Sequence, residues 1–493
     1  MNRLMLLYII IFSLVLVSCE GFLDRAPLDQ LSTESFYQTE ADANLAVLSV
    51  YSPLMDVEWQ GKGWMITEIP SDNSQAGGTD PDFTPIDNFS VSADNGPVFN
   101  FWAFHYRCVV LANVVVGKVN GMDIDPSVIN RIEAEARYLR AFAYFDLVRV
   151  YGGVPLVLSA PEFGDDMMLP RASVEDIYAQ IEEDLLFAKE NLPASWSGTD
   201  IGRATKGAAA SLLARVYLTR RDFLQVKNLT QEVMDMGIYR LMPNYSDNFE
   251  LATSDNNVES IFQIQLTGCA TFGTGNAKQA FFAPWGEGIT KDRDGWGSQI
   301  PTGPQLSNPG TTLFEAFEEG DLRKDATIMT SSVYYPTINP EDGGYTYPAQ
   351  GASATACNIK KYVVGSGPNI CFMSTPQNSH EIRYSDVLLM YAESILEIEG
   401  GVTRNTDALA AFNAVRARAG LDPVEEFDRE MMLHERRVEF AFEGQRWFDL
   451  VRSGRAVEIM TLHGKNPSKE RLLFPIPSSE LQINPNLVQN PGY

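Results

Sequence analysis

The chain has 493 residues, 45% hydrophobic and 11% aromatic, which is ample for a folded core and excludes global disorder. Its 64 Asp and Glu outnumber 38 Lys and Arg, giving a formal charge of −26. Phosphate binding rests on clustered cations, so this balance excludes nucleic acid as a partner.

The chain opens MNRLMLLYIIIFSLVLVSC, with Arg3 ahead of an apolar run from Leu4 to Val17. Spanning a bilayer takes about 20 apolar residues, so this shorter run reads as an export signal. Leu16-Val17-Ser18-Cys19 resembles a bacterial lipobox, which predicts cleavage after residue 18 and lipid on Cys19. No other stretch reads as apolar enough to span, so the expectation is a folded body in water, tethered by that lipid. Cys108, Cys269, Cys357 and Cys371 form no C-x-x-C pair, and zinc is not expected. Either Cys357 and Cys371, which flank a short loop, bridge in an oxidising compartment, or all four stay as buried thiols.

An apolar-periodic segment runs from Glu40 to about Met55. Residues 60–97 are rich in Gly, Pro, Asp and Asn and predict long loops. Helical patterns resume at Val98 and strengthen over Pro126–Tyr151, where Ile132, Ala136, Leu139, Ala143 and Leu147 fall on one face. Ser173, followed by Asp176, predicts a capped helix that Pro193 stops. From Lys206 to Gly237 an alanine-rich helix, a turn at Arg221-Asp222 and a second helix resemble a tetratricopeptide-type unit. Tyr384–Leu421 reads as another, and Arg131–Leu192 as a more irregular one. The fold class is therefore mainly α: tetratricopeptide-like helix pairs forming a scaffold, with an irregular loop-rich ligand-binding region containing a few short strands. The expected organisation is a signal over 1–18 and one domain over 19–493. Within it, 19–238 is helical with the loop at 60–97, 239–382 is a loop-rich insert, and 383–493 is a helical part and tail. In the insert a strand-like run, Ser260–Leu266, precedes Trp285, Trp296, Tyr334, Tyr335, Tyr345 and Tyr347 among turn residues. Loops on a rigid scaffold are the usual place for a binding site.

Chemistry is sparsely signalled. The four histidines are widely separated, and neither H-E-x-x-H nor G-x-S-x-G occurs. Asp292-Arg293-Asp294-Gly295 begins like a calcium loop but lacks the downstream ligands, so neither a metal nor a cofactor is expected. The stretch HERRVEFAFEGQRWFDLVRSG, from His434 to Gly454, carries Glu435, Glu439 and Glu443 four residues apart. On a helix they would share one face, whereas sugar hydrolysis needs two carboxyls facing each other across a substrate. Local spacing supplies partners instead: Arg436 for Glu439, Arg446 for Glu443, and both Arg446 and Arg452 for Asp449. The expectation is a charged network packed on aromatics, with no catalytic residue.

Those residues resemble the C-terminal signature of the SusD/RagB family of Bacteroidota outer-membrane lipoproteins. CEGFLDRAPLDQLSTESFY is similar to the family's mature start and RYLRAFAYFDLVRVYGGVPL to its first strong helix and exit. RYSDVLLMYAES with NAVRARAGL resembles its late repeat, and FPIPSSELQINPNLVQNPGY its ending. The resemblance implies a non-catalytic, lipid-anchored protein that faces outward and caps a SusC-like TonB-dependent transporter. Such a protein binds glycan and delivers it to the transporter; Glu20 and Asp24 fit the acidic lead tied to surface export. A surface glycoside hydrolase, or a binder of peptide rather than glycan, is the alternative. The family's site has no shared motif, so ligand residues are read from chemistry: sugar rings stack on Trp or Tyr, and hydroxyls pair with polar side chains. Trp64, Asp72 and Asn73 offer this in one loop region, and Trp285, Trp296, Tyr334 and Tyr345 in the other. Trp296 lies in DGWGSQIPT, which itself looks like a family pattern.

Overall fold

The computed structural model describes residues 36–56, 59–76, 81–160, 168–270, 274–284, 289, 298–299, 312–347, 357–371 and 373–493. Cys19, Trp285 and Trp296 lie outside these residues.

The first long helix, α1 (Glu40–Tyr51), starts at a capping box between Thr39 and Asp42. After the short α2 (Trp64–Glu68), Asn95 caps α3 (Gly96–Val119) and Asp125 caps α4 (Pro126–Tyr151). Ser173 caps α5 (Val174–Asn191) by accepting the Asp176 N–H. Next comes α6 (Lys206–Arg220), which ends where Arg221 turns left-handed, and Asp222 caps α7 (Phe223–Asp235). The insert follows, with β1 (Ser260–Ile264), α8 (Lys278–Phe282), β2 (Ile328–Thr330), β3 (Tyr334–Tyr335), β4 (Tyr345–Thr346), β5 (Cys357–Ile359) and β6 (Ser379–Arg383). The chain then completes α9 (Tyr384–Ile398), α10 (Thr406–Arg418), α11 (Arg429–Glu439) and α12 (Arg446–Arg452).

Helices α3 to α7, then α9 and α10, pack each on the next, so the stack crosses the insert without a break. This is possible because the insert leaves and returns side by side: β1 pairs antiparallel with β6, Ser260 opposite Arg383. β2 pairs with β5, and β3 with β4. Ring contacts seat the insert on the scaffold, Phe262 of β1 meeting Tyr138 of α4 edge-on at 5.0 Å. The fold is mainly α with tetratricopeptide-like helix pairs. Alanines at the α6 contact surface (Ala208, Ala209, Ala210, Ala214) are fully buried, which lets neighbouring helices approach closely.

Two expectations are corrected here. The Gly- and Asp-rich stretch 60–97, read as long loops, is partly helical at its start and largely buried from Trp59 to Ser74. Its Gly61 answers to packing, since a Cβ there would collide with the Phe281 ring. Further on, α3 is long and apolar enough to cross a membrane by length and composition. Its His105 and Asn113, however, are buried inside the fold, where Asn113 donates to Val157 O at 2.9 Å and accepts from Arg140 at 2.7 Å.

Candidate functional site

The signature stretch does not form one continuous helix. α11 stops at Glu439, Phe442 takes φ 64°, Gly444 takes φ 70°, and α12 starts afresh at Arg446. Glu443 therefore sits in the turn rather than on the face shared by Glu435 and Glu439. A Cβ on Gly444 would lie 2.8 Å from Thr67 Oγ1 and 3.0 Å from Trp64 Nε1. Gly444→Ala is expected to cost about 1–3 kcal/mol, read as a lower urea midpoint with unchanged slope. A neutral result would mean that the turn tolerates a side chain.

The acids find partners mostly far along the chain. Glu435 accepts from Arg323 at 2.5 Å and from Arg416 at 3.3 Å. Glu439 accepts from Arg418 at 2.5 Å, Arg383 at 2.9 Å and Arg323 at 3.2 Å. Glu443 accepts from Arg383 at 2.8 Å and Lys361 at 3.0 Å. Of the local pairings expected from spacing, only Asp449–Arg452, at 2.8 Å, forms among the described ion pairs. Arg436 instead spans Asp386 and Asp449, both at 2.9 Å, and Arg446 grips both oxygens of Asp72 at 2.7 and 2.8 Å. The neighbouring arginines are committed to Asp386, Asp449 and Asp72, and buried cations of other elements serve the glutamates.

Burial by itself would push these carboxyls up. At Glu443 the Arg383 and Lys361 charges outweigh it and hold the group at about 2. Arg418, Arg383 and Arg323 hold Glu439 well below the usual range for the same reason. Such acids are fixed anions with every oxygen engaged, which suits them to bracing and leaves them no proton to give. Glu68 is the contrast. Burial lifts it to about 8, offset only in part by the Gly444 N–H at 3.1 Å and by Lys361 and Lys278.

Trp64, Asp72 and Asn73 belong to this buried seam, which corrects their reading as ligand-facing residues. Trp64 is 7% exposed, meets Phe282 edge-on at 5.1 Å and carries Lys278 Nζ 4.7 Å from its ring centroid. Asn73 accepts from Arg437 at 2.8 Å, and Asp72 is clamped as above. Buried side chains offer a ligand no face.

An exposed face lies in the insert. Tyr334, on the β3–β4 hairpin, is 54% exposed, and its hydroxyl donates to Gly343 O at 2.9 Å, holding the ring at the surface. Tyr335 points the other way, is buried, and accepts the Thr330 N–H at 2.7 Å. Tyr345, opposite Tyr335, is half-buried. The loop after Asn73 joins this insert through a short antiparallel pairing, Gln75 with Gln299 and Ala76 with Ser298. The two loop regions singled out in the sequence therefore meet. Among the described residues no group of three or more His, Cys, Asp or Glu is placed to hold a metal ion. A disulfide joins Cys269 to Cys371, not Cys357 to Cys371; Cys357 and Cys108 are buried, and burial pushes their thiols up to about 11 and about 12.

A family model described as "SusD family" matches residues 259–493, and one described as "Starch-binding associating with outer membrane" matches residues 22–218. Among curated proteins, SusD-like protein P2 of Formosa agariphila is 28% identical over 518 residues, covering 98% of each chain. A solved structure named "Laminarin binding SusD-like protein" superposes with a TM-score of 0.77 at 28% identity, covering 93% of this chain and 100% of that one. Another, solved with a xylogluco-oligosaccharide, superposes with a TM-score of 0.77 at 26% identity, covering 90% and 97%. Two models that between them reach from the N-terminal helices to the last residue, and relatives matched along their whole length, make the chain a member of the SusD/RagB-like family.

Proposed function

We propose that this protein binds glycan at the outer membrane and passes it to a SusC-like TonB-dependent transporter, without cleaving it. The observation that carries the reading is near-complete overlap with a laminarin-binding protein and with a structure solved with a xylogluco-oligosaccharide. The exposed Tyr334 on a braced hairpin supports it, since a ring held outward offers a stacking face to sugar C–H groups. Tyr345 is proposed as a further ligand-binding residue, and so, on residue type and sequence context alone, are Trp285 and Trp296. The lipobox-like Leu16-Val17-Ser18-Cys19 supports lipid on Cys19, and the acidic residues after it support an outward-facing body. The signature glutamates support a non-catalytic role because each is held by buried cations.

Calorimetry against laminarin, xyloglucan and starch oligosaccharides, with chromatography of the sugars afterwards, tests both halves. Binding heat with unchanged chain length is expected, whereas shortened products would establish a hydrolase. Tyr334→Ala and Trp285→Ala are each expected to weaken binding about three- to tenfold, the range of one lost aromatic contact. Unchanged affinity in both variants would move the site away from the insert.

A further inference from the structure

We infer that the Cys269–Cys371 disulfide is a lock that positions the tyrosine hairpin, so that the binding face proposed above is sensitive to thiol reductants. The inference rests on that reading for its affinity arm only. The bond joins residues 102 apart and closes into one loop the chain that carries α8 and β2 to β5. At its base Cys269 N–H donates to Asn369 O at 3.0 Å, and Cys371 and Ser374 exchange backbone hydrogen bonds of 2.9 and 3.1 Å. From there the path to Tyr334 stays bonded throughout. The Ser366 N–H donates to Asn339 Oδ1 at 2.5 Å, Asn339 O accepts the Gly344 N–H at 3.0 Å, and the neighbouring Gly343 O holds the Tyr334 hydroxyl.

The lock acts on the outer part of the insert, not on its attachment. Beside the disulfide, Asn276 of the closed loop and Thr375 just beyond it pair in both directions at 2.9 and 3.0 Å, and β1–β6 carries the chain back to the scaffold. Arg323, within the same insert, stays tied to Glu435 and Glu439. Cys371 is exposed, so a small dithiol reaches it, while Cys108 and Cys357 are buried. A dithiol thiolate attacks Cys371 Sγ, the S–S bond breaks, and Cys269 leaves as thiolate. The second dithiol sulfur then displaces Cys371, both cysteines take up a proton, and the dithiol departs as a cyclic disulfide carrying the balancing two-electron oxidation.

The test compares the full chain oxidised, reduced with dithiothreitol, and as Cys269→Ser/Cys371→Ser, with thiol titration to verify reduction. Hydrogen exchange is followed by mass spectrometry and laminarin binding by calorimetry. Exchange over 333–346 and 365–375 is expected to quicken about tenfold in the reduced and Ser/Ser forms, with α4 and α9 unchanged and laminarin affinity about tenfold weaker. Equal exchange over 333–346 in all three forms overturns the lock, and so does faster exchange in α4, which would make the bond a brace of the whole fold. If the oxidised chain binds no laminarin, the glycan reading fails for that sugar and the exchange comparison still decides the lock.

Discussion

Arg383→Ala is expected to lower the free energy of unfolding by about 3–5 kcal/mol, the range for removing one partner from a buried ion pair. The guanidinium is 1% exposed and serves three carboxylates at once: Glu259 at 2.6 Å, Glu443 at 2.8 Å and Glu439 at 2.9 Å. Arg418 still reaches Glu259 and Glu439, Arg323 still reaches Glu439, and Lys361 still reaches Glu443, so each acid keeps at least one cation but loses the shared one. The position matters as much as the charge. Arg383 ends β6, where the insert rejoins the scaffold, and its partners lie before β1 and after α10. One side chain therefore ties the neck of the insert to the C-terminal helices. Urea denaturation of Arg383→Ala, Arg383→Met and Glu443→Gln, singly and combined, gives the check. Strong coupling between positions 383 and 443 is expected; a loss below about 1 kcal/mol in Arg383→Ala would mean that water replaces the guanidinium at little cost.

Helices declare themselves through repeating local signals, and that is why the scaffold was readable. Pro126–Tyr151 ends where its apolar spacing ends, and Ser173 and Asp222 cap the helices they precede. Ion pairs across elements carry no such spacing. Arg446 and Asp72 stand 374 residues apart, and nothing near either residue names the other. The same holds for the cysteines, where proximity along the chain offered Cys357 with Cys371 as the one bridge to set against buried thiols, while the pairing of β1 with β6 brings Cys269 to Cys371. Arg323, Lys361, Arg383 and Arg418, which do the bracing, were not read as partners of these acids, although Arg383 opens RYSDVLLMYAES and Arg418 lies in NAVRARAGL. The usable hint was that Arg383 stands directly before the apolar run of α9, where an unpaired cation would be costly. Trp64 failed for the converse reason, because a ring among glycines and polar residues reads as exposed, although those glycines exist to let other chains press close.

Glu68→Gln is expected to stabilise the protein at pH 7 by about 3 kcal/mol and to change little below pH 5. Burial raises the folded-state value of this carboxyl from 4.5 to about 8, against opposing pulls from the Gly444 N–H, Lys361 and Lys278 and with Asp72 adding to the rise. Between those two values the folded chain holds a proton that the unfolded chain has lost. Unfolding then releases a proton, so this residue subtracts stability as pH climbs through the window. Glutamine keeps the shape and the acceptor for Gly444 without any proton to lose, and the penalty vanishes. His380 and His463 act with the opposite sign: burial lowers both to about 4, so the stability they carry is complete above 6.5 and is lost as pH falls towards 4. The parent profile therefore mixes rising and falling contributions, and the difference between Glu68→Gln and the parent isolates one. Urea midpoints taken from pH 5 to pH 7.5 should separate progressively, the variant ahead. A constant gap across that range would mean that Glu68 is ionised in the fold, compensated by Lys278 and Lys361, and that the substitution acts through packing alone.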